Sequence, residues 1–140
     1  MGQGEISMAD WHRDFSSLMA VRYAVFVTEQ QIPAELEIDY FDAIAAHFLG
    51  RIDGQPVATA RCTPEGQIGR MAVLAAYRRR GIGAQLIDAI VADAVQRGKP
   101  GLFLNAQLHA IGFYSRLGFV ATGNVFKEHG LEHRRMEIAL

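Results

Sequence analysis

Ile68-Gly69-Arg70-Met71-Ala72-Val73, followed by Tyr77-Arg78-Arg79-Arg80-Gly81-Ile82-Gly83-Ala84, is an extended run that turns through a basic, glycine-punctuated loop into a helix. Leu86, Ile87, Ile90, Val91, Ala94 and Val95 recur at helical spacing, with Asp88, Asp93, Gln96 and Arg97 on the other face and Gly98 and Pro100 as the stop. A helix N-terminus presents unpaired backbone N–H groups and a partial positive charge, so it favours a bound phosphate. Gly81 and Gly83 lack side chains that would hold an anion away from those amides, which Ile82, Gly83 and Ala84 supply. Arg78, Arg79 and Arg80 can neutralise the charge and make bidentate contacts. The loop is therefore suited to a diphosphate. Two rival motifs fail: a nucleoside-triphosphate loop needs Gly-Lys-Ser/Thr, and a dinucleotide fingerprint needs a third glycine where Leu86 stands.

Outward from this loop, His47 to Ile52, Pro56 to Cys62 and Gln67 to Val73 are three short extended runs separated by Asp53-Gly54 and Pro64-Glu65-Gly66. Asp-Gly favours a tight hairpin, so the runs predict an antiparallel meander. Upstream, Phe15, Leu18, Met19, Tyr23, Phe26 and Val27 predict an amphipathic helix from about Asp14 to Gln30, stopped by Pro33. Residues 34 to 46 mix Glu35, Glu37, Asp39 and Asp42 with Ile38, Tyr40 and Phe41, and read as a mobile, acidic connection. Downstream come a short apolar strand at Leu102-Phe103-Leu104, a helix from about His109 to Leu117 and a last strand from Glu132 to Ala139. The predicted order is helix, three strands, helix, strand, helix, strand, with no repeat or linker to divide residues 1–140 into more than one mixed α/β domain.

Composition narrows the function. The chain has 140 residues, half of them hydrophobic, and a formal net charge of −1. That is enough apolar surface for one core and no global positive field for nucleic acid or an anionic membrane. No apolar run approaches the ~18 residues of a membrane helix, and Met1 to Glu5 lacks the features of a secretory signal. Gly2 does not meet the myristoylation pattern, because Ile6 stands where Ser or Thr is required. A soluble cytoplasmic protein is the expectation. Cys62 is the only cysteine, so no internal disulfide or cysteine metal cluster forms, and its strand context predicts a small buried hydrophobe. His129 and His133 have a spacing that suits a metal on a helix, but Gly130 interrupts them, and no metal site is expected.

Two motifs carry a resemblance. Val73-Leu74-Ala75 followed by Arg78-Arg79-Arg80-Gly81-Ile82-Gly83 is similar to the acyl-CoA signature Q/R-x-x-G-x-G/A of the GNAT superfamily of N-acetyltransferases, with Arg78 at the Q/R position and Gly81 and Gly83 at the small positions. At the expected distance downstream, Ala110-Ile111-Gly112-Phe113-Tyr114-Ser115-Arg116-Leu117-Gly118-Phe119 resembles the family's A-x-x-(F/L)-Y-x-x-x-G-F segment. The similarity covers residues 45 to 140 in element order, and Val25-Phe26, Glu29-Gln30 and Pro33 resemble the first-helix segment of one bacterial branch. The chain departs from many members at Gln107, where they carry Asn, while keeping Asn105 two residues earlier. It also has Ala75 in place of Pro and Arg79 in place of Gly, which changes loop stiffness but not the backbone donors.

The resemblance implies the GNAT fold, a central, mostly antiparallel twisted sheet with one splayed strand pair, flanked by helices. It implies acetyl-CoA as acyl donor and a primary amine of a small molecule, peptide or protein as acceptor, in a monomer or homodimer. By resemblance, Met71, Ala72 and Val73 pair their backbone with the pantetheine arm, and an N–H there faces the oxyanion. Asn105 and Gln107 are the cofactor contacts at the next strand's end, and Tyr114 protonates the leaving sulfur. An amine must lose its proton before it attacks, and Glu29, Asp39, Glu128 and His133 are candidate bases, with Glu29 first because it ends the first helix. The acidic segment is a candidate lure for a cationic acceptor, against ordinary solvation of a loop. A non-catalytic acyl-CoA-binding module stands as the alternative function.

Overall fold

Asp53 and Gly54 both adopt positive φ, 50° and 80°, the combination a two-residue type I′ turn requires. They join β2 (Ala46–Ile52) to β3 (Gln55–Cys62). Gly66, at φ 97°, closes the next turn into β4 (Gln67–Val73), and the three strands form the predicted antiparallel meander. The computed structural model describes residues 4–140; Gly2 and the acylation pattern read on it lie outside them. The meander is part of a seven-stranded sheet in the order β1-β2-β3-β4-β5-β7-β6. Here β1 is Gly4–Ala9, β5 Gly101–Gln107, β6 Val120–Glu128 and β7 Leu131–Ala139. Every neighbouring pair is antiparallel except β4–β5, so the expected mostly antiparallel mixed fold is what forms.

Two strands escaped the sequence reading, and both are sheet edges. β1 offers only Ile6 and Met8 as large apolar residues, yet pairs with β2 along its full length. β6 is broken by Thr122-Gly123-Asn124, where the register shifts and Gly123 takes φ 72°. An edge strand buries one side of its ladder at most, so little apolar alternation is required of it.

The first helix spans nearly the expected residues but changes form: α1 (Phe15–Arg22) continues as a π-helix over Tyr23–Glu29. Its buried stripe runs through Leu18, Val21, Arg22 and Val25, an i, i+3, i+4, i+7 series, and not through Phe15 and Tyr23, which are exposed. An arginine occupies that stripe because the acidic segment supplies its partners. That segment is no mobile connection. It forms two 3-10 turns, Ala34–Leu36 and Tyr40–Ala43, the second closed by a capping box between Asp39 and Asp42.

Arg22 is 0% exposed, Glu37 2% and Asp42 1%. Arg22 donates Nε to Glu37 Oε1 at 2.8 Å, Nη1 to Asp42 Oδ1 at 2.8 Å and Nη2 to the Glu37 carbonyl at 2.9 Å. Arg61 of β3 donates to Asp39 at 2.6 Å and Asp42 at 2.8 Å, and Arg70 of β4 reaches Asp39 at 3.1 Å. Three arginines thus meet three of the segment's four carboxylates, which leaves the exposed Glu35 as the segment's one acid unpaired among the described residues to attract a cationic acceptor. Helix α2 (Ile82–Gln96) covers the other side of the sheet with Leu86, Ile87, Ile90 and Ala94. Cys62 is buried there, as expected, and burial pushes its thiol pKa up.

Candidate active site

β4 and β5 pair in parallel only at Gln67↔Phe103 and Ile68↔Leu104. Beyond them the strands separate, and the β5 side of β4 from Gly69 to Val73 has no strand partner. A bulge accompanies the split: Thr59 pairs with Ala72 but Arg61 pairs with Gly69, so Arg70 and Met71 together face one residue, Ala60. Arg70 takes φ 47° to make the extra step. Bulges re-aim side chains and backbone groups beside a site. Here the bulge turns Arg70 toward Glu37 and Asp39 while Met71 packs with the α2 side.

At the far end of β4, Gly81 at φ 81° caps α2, and no side chain caps its amides. Gln85 N–H is the first to bond back, to Gly81 O at 3.1 Å, which leaves Ile82, Gly83 and Ala84 with no intrahelical acceptor. A Cβ on Gly83 would meet Met71 Cε and Phe113 Cζ, each at 3.2 Å; the glycine is there because the cradle is narrow. Of the three loop arginines, Arg78 forks onto Glu29 at 2.6 and 2.5 Å and donates Nε to Val73 O at 2.9 Å. Arg80 lies over the Tyr77 ring at 5.1 Å. Arg79 holds φ 65°, a left-handed conformation that costs a non-glycine residue about 1 kcal/mol. Arg79→Gly should therefore raise the melting temperature by about 3 °C. A melting scan checks this, and a drop would show that the arginine side chain contributes more than its backbone costs.

Two cavities meet across this region. An outer groove runs past Glu29, Val73, Arg78, Gly81 and Gly83. An inner pocket is bounded by Arg61, Asn105, Gln107, Glu128 and His133. Gln30, Met71, His109 and Tyr114 line both. Tyr114 lies in α3 (Ile111–Arg116), its ring edge-on to Phe113 and Phe119. Its hydroxyl donates to Met71 Sδ at 3.4 Å, and burial pushes its pKa up to about 12.

The sequence candidates are thus distributed unevenly. Met71, Tyr114 and the loop residues are brought together, whereas Asn105 and Gln107 face the inner pocket and not the loop. Glu29 lies on the groove, and its bond to Arg78 lowers its pKa, which makes it a weaker proton acceptor. Asp39 is held between Arg61 and Arg70. His129 and His133 are not on a helix; His129 and Gly130, at φ 52° and 76°, form the tight turn between β6 and β7. His109 lines both cavities without any motif marking it, and Gln30, which the first-helix resemblance includes but gives no role, lines both as well, because their placement depends on the π-helix and on the end of β5.

A sheet opened at its parallel pair, with an uncapped helix N-terminus at one mouth and a half-buried tyrosine at the junction, defines an acyltransferase that draws on an acyl-CoA. The acetyltransferase (GNAT) domain model matches residues 14–140, and the chain belongs to the GNAT acetyltransferase family. It is 34% identical over 120 residues to YjcF of Bacillus subtilis, named as an uncharacterized N-acetyltransferase, covering 83% of this chain and 86% of that one. An acyl-CoA N-acyltransferase structure from Pseudomonas aeruginosa superposes with a TM-score of 0.87 at 29% identity, over 98% of this chain and 100% of that one. Escherichia coli ElaA superposes with a TM-score of 0.86 at 28% identity, over 97% and 99%.

Proposed function

We propose that the protein moves an acetyl group from acetyl-CoA to a primary amine by direct attack on the thioester. The observation that carries this reading is Tyr114 at the junction of the two cavities, one ending at the bare amides of α2. When bound, acetyl-CoA supplies an acetyl group activated as a thioester. The residues present fit it: the amides of Ile82, Gly83 and Ala84 receive the pyrophosphate in a cradle that a Cβ at Gly83 would fill, with Arg79 and Arg80 beside it. The unpaired side of Met71, Ala72 and Val73 takes the pantetheine arm as an added strand, and an amide at the bulge faces the acyl oxygen.

Asn105 and Gln107, on the opposite arm of the split, hold the thioester end and not the pyrophosphate. Tyr114 donates to the departing sulfur. Its present acceptor, a thioether, is a weak one, so little is lost when the hydroxyl changes partner. Glu29 acts through Arg78, anchoring the loop to the first helix. The inner pocket, ≈ 270 Å³, receives the amine, which is therefore a compact molecule or a side chain entering from a peptide. Work in the cytoplasm, where acetyl-CoA is made and used, fits this chemistry.

Titration calorimetry with acetyl-CoA, followed by thiol release on adding primary amines, tests the proposal. Gly83→Asp should weaken acetyl-CoA binding by about 100-fold, close to 3 kcal/mol, because the new carboxylate both crowds Met71 and Phe113 and repels the phosphates. Undiminished binding in a folded variant would overturn the pyrophosphate assignment. Tight binding with no turnover across a broad amine panel would return the chain to the non-catalytic acyl-CoA-binding module.

A further inference from the structure

His133, the third residue of β7, stands on the wall of the inner pocket and is 7% exposed. Its ring is stacked on Phe126, its partner across the β6–β7 ladder, with 5.8 Å between centroids and 22° between planes. On its other edge Nδ1 lies 2.8 Å from the Leu131 carbonyl oxygen. A carbonyl only accepts, so Nδ1 carries the proton and, in the neutral ring, Nε2 keeps its lone pair. Nε2 has no hydrogen-bond partner among the described residues. The buried imidazole is thus held in one tautomer, with its basic nitrogen uncommitted on the pocket wall.

We propose that His133 Nε2 is the general base that takes the proton from the acceptor amine, an inference that rests on the transferase reading above. The rival groups are spent or loosely held. Glu29 is forked with Arg78 in the other cavity, Asp39 lies between two arginines, and Glu128 and His129 are exposed on the hairpin turn. His109 is exposed and is held by Gln107 alone, at 2.7 Å. The charged and titratable groups sharing the pocket with His133 are Arg61 and Arg70 from the meander, Glu37 from the acidic segment, Glu128 and His129 from the end of β6 and its turn, His109, and Tyr114 of α3.

One proton passes from the ammonium nitrogen to Nε2. The neutral nitrogen forms its bond to the acyl carbon as the carbon–sulfur bond breaks, and Tyr114 O–H donates to the departing sulfur. The second nitrogen proton restores the phenol, and the imidazolium gives its proton to solvent, so one proton is released per amide formed.

The test uses the whole chain, acetyl-CoA and three probe amines, tyramine, spermidine and lysine, with thiol release followed between about pH 5.5 and 9. In His133→Asn the amide nitrogen still donates toward Leu131 O but no base remains. The kcat/KM for the amine should fall about 100-fold, and the acidic limb should give way to a continuous rise with pH that follows the free-amine fraction. Affinity for acetyl-CoA should stay within about twofold. An unchanged acidic limb with kcat/KM within about threefold of wild type, or a limb lost in His109→Ala but kept in His133→Asn, would overturn the assignment. If wild type binds acetyl-CoA but acetylates none of the three amines, the transferase reading is what fails for them. Two-bond 1H–15N imidazole spectra of wild type then decide His133 separately: a proton on Nδ1 with bare Nε2 sustains the base-competent state, and a proton on Nε2 sinks it.

Discussion

Replacing Arg22 with methionine is expected to destabilise the protein by about 3–5 kcal/mol, read as a shift of the urea unfolding midpoint at constant slope. Methionine fills most of the volume, so the loss is electrostatic. Glu37 and Asp42, 2% and 1% exposed, lose the guanidinium that bonds both of them, and Arg61 and Arg70 do not balance the three carboxylates Glu37, Asp39 and Asp42. Removing one partner of a buried charge network leaves uncompensated charge, whereas removing the charges together costs far less. Arg22→Met with Glu37→Gln and Asp42→Asn should therefore recover a good part of the loss; a triple variant as unstable as the single one would refute the charge explanation.

Asp42 gives the same network a pH signature. Burial alone pushes its carboxyl up, but bonds from Arg22, the Asp39 amide and Arg61 outweigh burial and hold it at about 2, below the ordinary 3.8. A group depressed in the folded state contributes stability that is complete above its unfolded pKa and lost as pH falls through the folded one. Wild-type stability should decline between about pH 4 and pH 2. In Arg22→Met the largest opposing bond is gone, and the decline should begin at higher pH.

Tyr114→Phe is expected to lower kcat by about 100-fold with acetyl-CoA affinity unchanged. The ring contacts with Phe113 and Phe119 survive, and the only bond lost is to a thioether, so stability should move by less than about 1 kcal/mol. What disappears is the proposed donor to the departing sulfur. Because burial raises the phenol to about 12, Tyr114 keeps its proton throughout the working range, and wild-type kcat should show no basic limb from this group below about pH 10. Single-turnover thiol release over that range measures both effects. An unchanged kcat would remove the hydroxyl from the chemistry, and a limb near pH 9 present in wild type but absent in Tyr114→Phe would contradict the buried environment.

The strand-to-helix loop was legible because its physics is local. A strand, a turn that needs glycine and a helix N-terminus are contiguous between Ile68 and Ala84, and each is set by neighbours in the chain. The meander was legible for the same reason, through Asp53-Gly54. The edge strands β1 and β6 were not, because an edge need not alternate. The acidic segment was misread because composition cannot distinguish solvated carboxylates from paired ones: Glu37 and Asp42 are buried only because Arg22, Arg61 and Arg70 arrive from three other elements.

By itself the sequence determined the helix start at Gly81 to Ala84, the hairpin meander and the tyrosine segment that marks the family, all of which depend on short spacings and local backbone preference. Only the tertiary structure decided which groups share a cavity. It turned Arg78 back onto Glu29, opened β4 from β5 by a bulge at Arg70, and brought His133 onto the wall of the pocket that Tyr114 joins. Those juxtapositions arise from strand order and register, and residues tens of positions apart leave no mark of their meeting in the chain.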